Sequence, residues 1–318
     1  MIIYFDFNLC QLKFIKQQNE DSSFAVDFLM EKADKKDFSG IIEDFCAENK
    51  EFLTYLQGEK NYVVLPDKVV GFDSLQVPTT KFGKNKYFEN KFNLIYNRDG
   101  NYIAEKNVLT KNSKTTTFVF AILKKDIISQ IVNTFKKYGV IVNGISYFSR
   151  VMVDYIVGEN GHVAKQNVFV TIFDKTTKLI ALSNGNIVAS QQIFDKEKTA
   201  FSKKYASFIN NKQNGLKIFE EDIEREISRT KIEKEEKKDK LLKIKLISEQ
   251  FKQNLEKSNL GLKFNKECIV NSRDKFIDLD EPNVIAIENY SQDKALSKYK
   301  SNSFYTAKRS FWKWKKEE

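Results

Sequence analysis

Two stretches decide the fold: Ile2–Lys16, IIYFDFNLCQLKFIK, and Asn167–Val188, NVFVTIFDKTTKLIALSNGNIV. Each begins with a short run dominated by Ile, Val and Phe, crosses a polar turn and returns as a second strand. An unbroken apolar run, rather than strict alternation, is what a strand covered on both faces needs. The same hairpin thus opens the chain and recurs past its midpoint. Repetition of an opening predicts two lobes, each built on its own sheet.

The elements around these hairpins fit that plan. Ser22–Leu29 reads as a further strand, and Phe38–Leu56 as an amphipathic helix with Ile41, Ile42, Phe45, Phe52 and Leu56 on its apolar positions. Tyr62–Leu65 is a short apolar strand stopped by Pro66, and Val69–Val77 runs to Pro78. Lys81–Lys114 is polar, with strand-like pieces at Phe92–Tyr96 and Asn101–Glu105. A strand at Thr116–Leu123, a helix at Lys124–Tyr138 stopped by Gly139, and a strand at Val140–Ser146 form the next unit. A strand, helix and strand of this length imply a parallel or mixed sheet covered by helices. Arg150–Val157 continues as a short helix. Asn184-Gly185 is a hairpin turn dipeptide. Lys196–Asn211 is helix-like, and Leu216–Leu260 is a long charged helix without proline. Asn265–Val270 and Glu281–Ile287 are strand candidates. The expected domains are a first lobe over 1–160 with an inserted subdomain near 81–157, a second lobe over 161–290 and a basic aromatic tail over 291–318.

Composition narrows the function classes. The chain has 318 residues, 41% hydrophobic and 30% charged, as a folded globular protein does. Three cysteines far apart and one histidine, His162, leave no CxxC spacing and no histidine-based metal site. The sequence has neither a G-x-S-x-G nucleophile turn nor a run of about 20 apolar residues that would span a membrane. These features predict a cytoplasmic protein, with attachment to a membrane surface still open. The net charge of +10 favours nucleic acid, anionic lipid or an acidic partner. In the tail, Ser291–Glu318, eight Lys or Arg face three acids, and Phe311, Trp312 and Trp314 sit among lysines. That pattern suits an anionic membrane surface, and equally stacking on single-stranded nucleic acid.

From the first hairpin to about Ser190, the element order resembles the PilM family of type IV pilus assembly proteins. That family is actin-like and related to FtsA and to the cytoplasmic domain of GspL. Its opening hairpin has the form DIGSSSIK. Asp6-Phe7-Asn8-Leu9-Cys10-Gln11-Leu12-Lys13 keeps the first Asp and last Lys and replaces the Gly with Asn8. Val63-Val64-Leu65-Pro66 with Pro78 looks like the family's strand, Pro, strand, Pro passage. The family's second hairpin is close to DIGASTTNL. Thr171–Leu179, TIFDKTTKL, keeps the Thr-Thr and the Leu, but has Thr171 for Asp and Phe173 for Gly. The family's Gly-Gly signature is absent, since the chain has no Gly-Gly pair.

The resemblance implies an α/β, actin-like (ribonuclease H-like) two-lobed fold with mixed sheets and a long charged helix. It implies an ATP site whose residues would be Asp6 on a metal-bound water, Asn8 in the first turn, Lys13 on phosphate, and Thr176 and Thr177 on phosphate oxygens. Glycines let backbone N–H groups approach phosphate, so their loss points to a degenerate site. Asp6 and Lys13 also read as ordinary hairpin residues, and the Thr pair as β-propensity, while Asn8 can adopt the left-handed turn conformation. The implied role is a cytoplasmic scaffold, peripheral to the inner membrane, that binds the short cytoplasmic tail of a PilN-like membrane protein and meets a pilus motor ATPase. The implied peptide groove lies between the first lobe and its insert, along Tyr62–Pro78 and Phe118–Ser146. An active actin-like ATPase and a basic nucleic-acid-binding protein are the alternatives that stay open.

Overall fold

The computed structural model describes residues 1–6, 11–17, 23–29, 37–80, 83–173, 177–193, 220–258, 260–271, 284–287, 290, 292–299 and 304–306. Asn8, Thr176, the helix expected at Lys196–Asn211 and the Phe311, Trp312 and Trp314 cluster lie outside them.

The first hairpin forms as read. Strand β1 (Ile2–Asp6) pairs antiparallel with β2 (Gln11–Gln17), and β2 pairs with β3 (Ser23–Leu29). Alternation along these strands separates two faces. One carries Phe5 and Phe14. Phe5 meets Phe38 of helix α1 (Phe38–Glu48), and Phe14 stacks on Phe45 of α1 at 4.7 Å. Phe14 also meets Phe52 of α2 (Lys50–Gln57) edge-on at 5.0 Å. The other face carries Tyr4 and Lys13, which are opposed in register.

The single helix expected at Phe38–Leu56 is two. Asn49 breaks it, because its side-chain amide and its own backbone N–H both donate to the Phe45 carbonyl. An Asn that bonds locally competes with the helical ladder.

Strand β4 (Asn61–Leu65) lies parallel to β1, and a small unit then leaves the lobe. It consists of β5 (Gly71–Pro78), α3 (Lys84–Ile95), β6 (Tyr102–Lys111) and β7 (Thr115–Lys124), with sheet order β5-β7-β6. The strand expected at Phe92–Tyr96 is part of a helix and its C-cap. Phe88, Phe92 and Tyr96 recur every four residues and pack as one face on Phe120 of β7.

Helix α4 (Lys125–Lys137) ends at Gly139, whose φ of +76° is the left-handed stop expected there. Strand β8 (Val142–Tyr147) pairs parallel with β4. The expected strand-helix-strand unit is therefore split between sheets: β7 belongs to the insert and β8 to the first lobe. Helix α5 (Phe148–Glu159) follows β8 directly.

The second hairpin opens the second sheet as β9 (Asn167–Phe173) and β10 (Thr177–Ser183). Strand β11 (Asn186–Ile193) returns through Asn184 and Gly185, both at positive φ as the turn dipeptide requires. The charged helix is α6 (Glu220–Glu256). Strand β12 (Lys266–Asn271) is parallel to β9, and β13 (Val284–Ile287) is parallel to β12. The chain then returns to the first lobe as α7 (Gln292–Ser297) and β14 (Tyr305–Thr306), which pairs antiparallel with β8.

The sheets read β3-β2-β1-β4-β8, extended by β14, and β11-β10-β9-β12-β13. Both contain an antiparallel meander of three strands followed by two parallel strands. The repeated hairpin is thus the visible edge of a repeated lobe. One core runs through both lobes, from Ile3 and Phe5 to Val170, Ile180 and Val270. The insert's β6 and β7 add Leu109 and Val119 to a second cluster with Leu179 and Val188, so the insert packs on the second lobe as well.

Candidate functional site at the junction of the two hairpins

Helix α5 begins where the hairpins converge. Its first residue, Phe148, lies with its ring centroid 5.5 Å from that of Tyr4 on β1. The Lys178 ammonium of β10 sits over the same ring, 3.1 Å from its centroid. Phe148 is therefore a wedge between the hairpins, touching an aromatic ring of one and a cation of the other.

Lys178 is almost fully buried and has a charge partner across the lobes. Its Nζ lies 3.8 Å from an Asp67 carboxylate oxygen. Asp67 sits in the single helical turn after Pro66 (Asp67–Val69). Its carboxylate also accepts from the Ser149 backbone N–H at 2.9 Å and from Ser149 Oγ at 2.7 Å. Ser190 Oγ of β11 lies 3.0 Å from Ser149 Oγ. Two carboxylate hydrogen bonds and one ion pair thus join Asp67, α5 and the second sheet. Ser149 and Lys178 are shielded from solvent, so this cluster holds the lobes together and offers no exposed nucleophile.

The residues singled out in the sequence fall as follows. Asp6 ends β1, buried, at the mouth of the first turn. Lys13 is buried on β2 opposite Asp27, its Nζ 3.5 Å from that carboxylate and 3.9 Å from Asp293 of α7. Thr177 begins β10 and is buried. Asp6 and Thr177 border the two turns, while the Lys13 ammonium meets carboxylates of β3 and α7. Phe148, Asp67, Ser149 and Lys178 escaped the sequence reading. Lys178 had a signal: a lysine inside an apolar strand, TKLIALS, asks for a buried partner.

A second polar group lies beside the first. Arg150 and Asp154, four apart on α5, pair at 2.8 Å. Glu105 of the insert's β6 faces them. Burial raises the Glu105 carboxyl pKa, Arg150 opposes this and Asp154 adds to it. Burial also raises the Asp154 carboxyl, with Arg150 opposing. Burial pushes the thiols of Cys46 and Cys268 up to about 12, which removes them as nucleophiles at neutral pH. Among the described residues no cluster could hold a metal ion, and no helix is long and apolar enough to cross a membrane.

The duplicated five-strand order, the paired hairpins and the helix between them define an actin-like fold. No family model and no curated protein matches the chain. Among solved structures it is similar to the "PilM-PilN type IV pilus biogenesis complex", at 13% identity and a TM-score of 0.55, covering 90% of this chain and 87% of that one. It is also similar to a protein of unknown function with an actin-like ATPase fold from Bacteroides thetaiotaomicron, at 11% identity over 94% of this chain and 95% of that one, TM-score 0.45. The cytoplasmic domain of EpsL, an inner-membrane component of the type II secretion system of Vibrio cholerae, aligns at 8% identity over 96% and 98%, TM-score 0.47. The pilus-complex likeness fixes the fold; at TM-scores below 0.5 the other two carry no argument.

Proposed function

We propose that this chain is a non-enzymatic scaffold of a type IV pilus or type II secretion-like assembly platform, cytoplasmic and peripheral to the inner membrane. It binds the short cytoplasmic tail of a PilN-like membrane protein, in the groove between the first lobe and the insert. The observation that carries this reading is the likeness to the pilus complex over nearly the whole of both chains. The motor ATPase and an anionic membrane surface reached through Phe311, Trp312 and Trp314 are further proposed contacts.

In the same reading the nucleotide site is degenerate. The junction supports this. A buried Lys178–Asp67 pair and the Phe148 ring lie where the hairpins converge, and the Lys13 ammonium already faces two carboxylates. With Lys13 engaged in this way, loss of ATP binding is the outcome we propose.

Crosslinked affinity purification from the native cell tests the scaffold. Recovery of a single-pass membrane protein with a short cytoplasmic tail is the expected result. Recovery of only nucleic acid or ribosomal proteins, lost as salt rises, would overturn it. Saturable ATP binding that Asp6→Ala or Lys13→Ala abolishes would overturn the degenerate site.

A further inference from the structure

Helix α3 buries one face on the insert's sheet and turns another outward. Phe88 and Phe92 are its buried side chains, packed with Leu75, Val77, Phe118 and Phe120. The outward stripe is of a different kind. Lys84, Tyr87, Lys91 and Leu94, then Arg98 in the turn beyond the helix, follow at intervals of three, four, three and four residues. Such spacing keeps side chains on one side of a helix. Arg98 is held there by its Nε, which donates to the Leu94 carbonyl at 2.9 Å. Ile95 widens the stripe beside Leu94. Tyr87, Leu94 and Ile95 are 47%, 64% and 50% exposed. Packing within the chain therefore gives no reason for these three side chains.

The charges on the stripe share one sign. Lys91 donates to the Gln76 carbonyl of β5 at 3.0 Å, a partner that leaves its charge unneutralised. Glu89, the only acid in the helix, lies on the opposite side and pairs with Lys106 of β6 at 3.1 Å. Asp73 of β5 accepts from the Tyr96 hydroxyl. From Lys84 to Gly100 the cations Lys84, Lys86, Lys91 and Arg98 stand against Glu89 and Asp99. Lys84 and Lys86 occupy the first helical turn, where the helix dipole opposes positive charge, so helix stability gives no reason for them either.

A helix face that mixes cations with exposed apolar side chains suits the interface of an anionic bilayer. Rings and aliphatic groups sit at headgroup depth there, and ammonium groups meet lipid phosphates. Leu94 and Ile95 are aliphatic, which offers acyl chains a contact and nucleic-acid bases no stacking partner. The stripe is the convex outside of a helix, a shape that a fluid lipid surface accepts.

We propose that the outer face of α3 is a contact surface for anionic phospholipid, with Tyr87, Leu94 and Ile95 entering the headgroup layer and Lys84, Lys91 and Arg98 meeting lipid phosphates. The face belongs neither to the aromatic tail nor to the segments of the proposed groove, and its test depends on neither.

The chain's two tryptophans, Trp312 and Trp314, are both in the tail. All variants are made in the full chain carrying Trp312→Ser and Trp314→Ser, which removes these tail rings and every native tryptophan. Co-sedimentation is measured with vesicles of phosphatidylcholine alone and of equimolar phosphatidylcholine and phosphatidylglycerol. Binding to the anionic vesicles only is expected, falling as salt rises. A cation near such a surface strengthens binding by about fivefold, so Lys84→Gln with Lys91→Gln is expected to weaken it by about 25-fold. Leu94→Gln with Ile95→Gln is expected to weaken it too, with melting curves unchanged because both side chains are exposed. The contact is located by a single reporter, Leu94→Trp, with Leu242→Trp on α6 as the comparison. Phosphatidylcholine brominated on its acyl chains is expected to quench the first and spare the second. Absence of vesicle binding, full binding by both double variants, or equal quenching at the two positions overturns the proposal. Binding of a single-stranded oligonucleotide without vesicle binding assigns the face to nucleic acid and overturns it as well. So does self-association that Leu94→Gln with Ile95→Gln abolishes, again without vesicle binding. Each of these failures leaves the crosslinking test of the scaffold reading standing.

Discussion

Lys178 shows how one side chain joins two lobes. Its ammonium is buried between a phenylalanine ring and a carboxylate, and that carboxylate is held by both donors of Ser149. Breaking such a pair from one side strands a buried charge, whereas removing both charges does not. Lys178→Met is therefore expected to destabilise the protein by about 3 kcal/mol, and Lys178→Met with Asp67→Asn by much less. Urea unfolding of the two single variants and the double variant measures the coupling; additive losses would mean that the pair contributes nothing of its own. Glu105 makes the opposite case. Its pKa is raised because burial outweighs the attraction of Arg150. An acid whose folded pKa lies above its unfolded value stabilises the fold most below the unfolded value, and that stability is lost as pH rises through the folded value. Glu105→Gln is thus expected to raise the melting midpoint by about 1–3 °C at neutral pH. The difference should vanish below the ordinary carboxyl value of 4.5. A midpoint that falls at neutral pH would show that the Arg150 attraction dominates.

At the scale of elements, α6 separates what charge conceals from what packing uses. The helix runs 37 residues. Near its end it packs on the second lobe through Ile247, Phe251 and Leu255, with Phe251 against Phe169 of β9, and Ile244 is buried. Leu242 and Leu246 are more than half exposed on the other side. Ile244→Ala is expected to cost about 2–4 kcal/mol, while Leu242→Gln with Leu246→Gln changes stability little. Thermal melts of the two variants distinguish these faces; an equal loss would place Leu242 and Leu246 in a covered surface. The strands were legible because apolar runs bounded by turns have few other uses. Helix α3 was not, because Phe92–Tyr96 is a short apolar piece whose period shows only when Phe88 is counted with it. The break at Asn49 was equally hidden, since it depends on a local hydrogen bond rather than on pattern.

For the whole molecule, two lobes of the same strand order share one core, and the C-terminal segment closes back on the first lobe. The sequence by itself determined the repeat. Hydrophobic runs of strand length, recurring on either side of the midpoint, admit two sheets and hence two lobes, and the PilM resemblance carried by Asp6, Lys13 and the Pro66–Pro78 passage agrees with the fold observed. The turn at Asn184-Gly185 and the stop at Gly139 were equally local, because each depends on a backbone angle that glycine reaches at low cost. Only the tertiary structure decided which residues meet. Asp67 and Lys178 are 111 positions apart, Tyr147 and Phe304 are 157, and Glu105 of the insert's sheet faces Arg150 of α5. Sequence pattern reports burial along a strand or helix, where neighbours lie a few residues away. It carries no record of which distant charge or ring stands opposite, since that follows from how sheets and helices stack once chain entropy has been overcome.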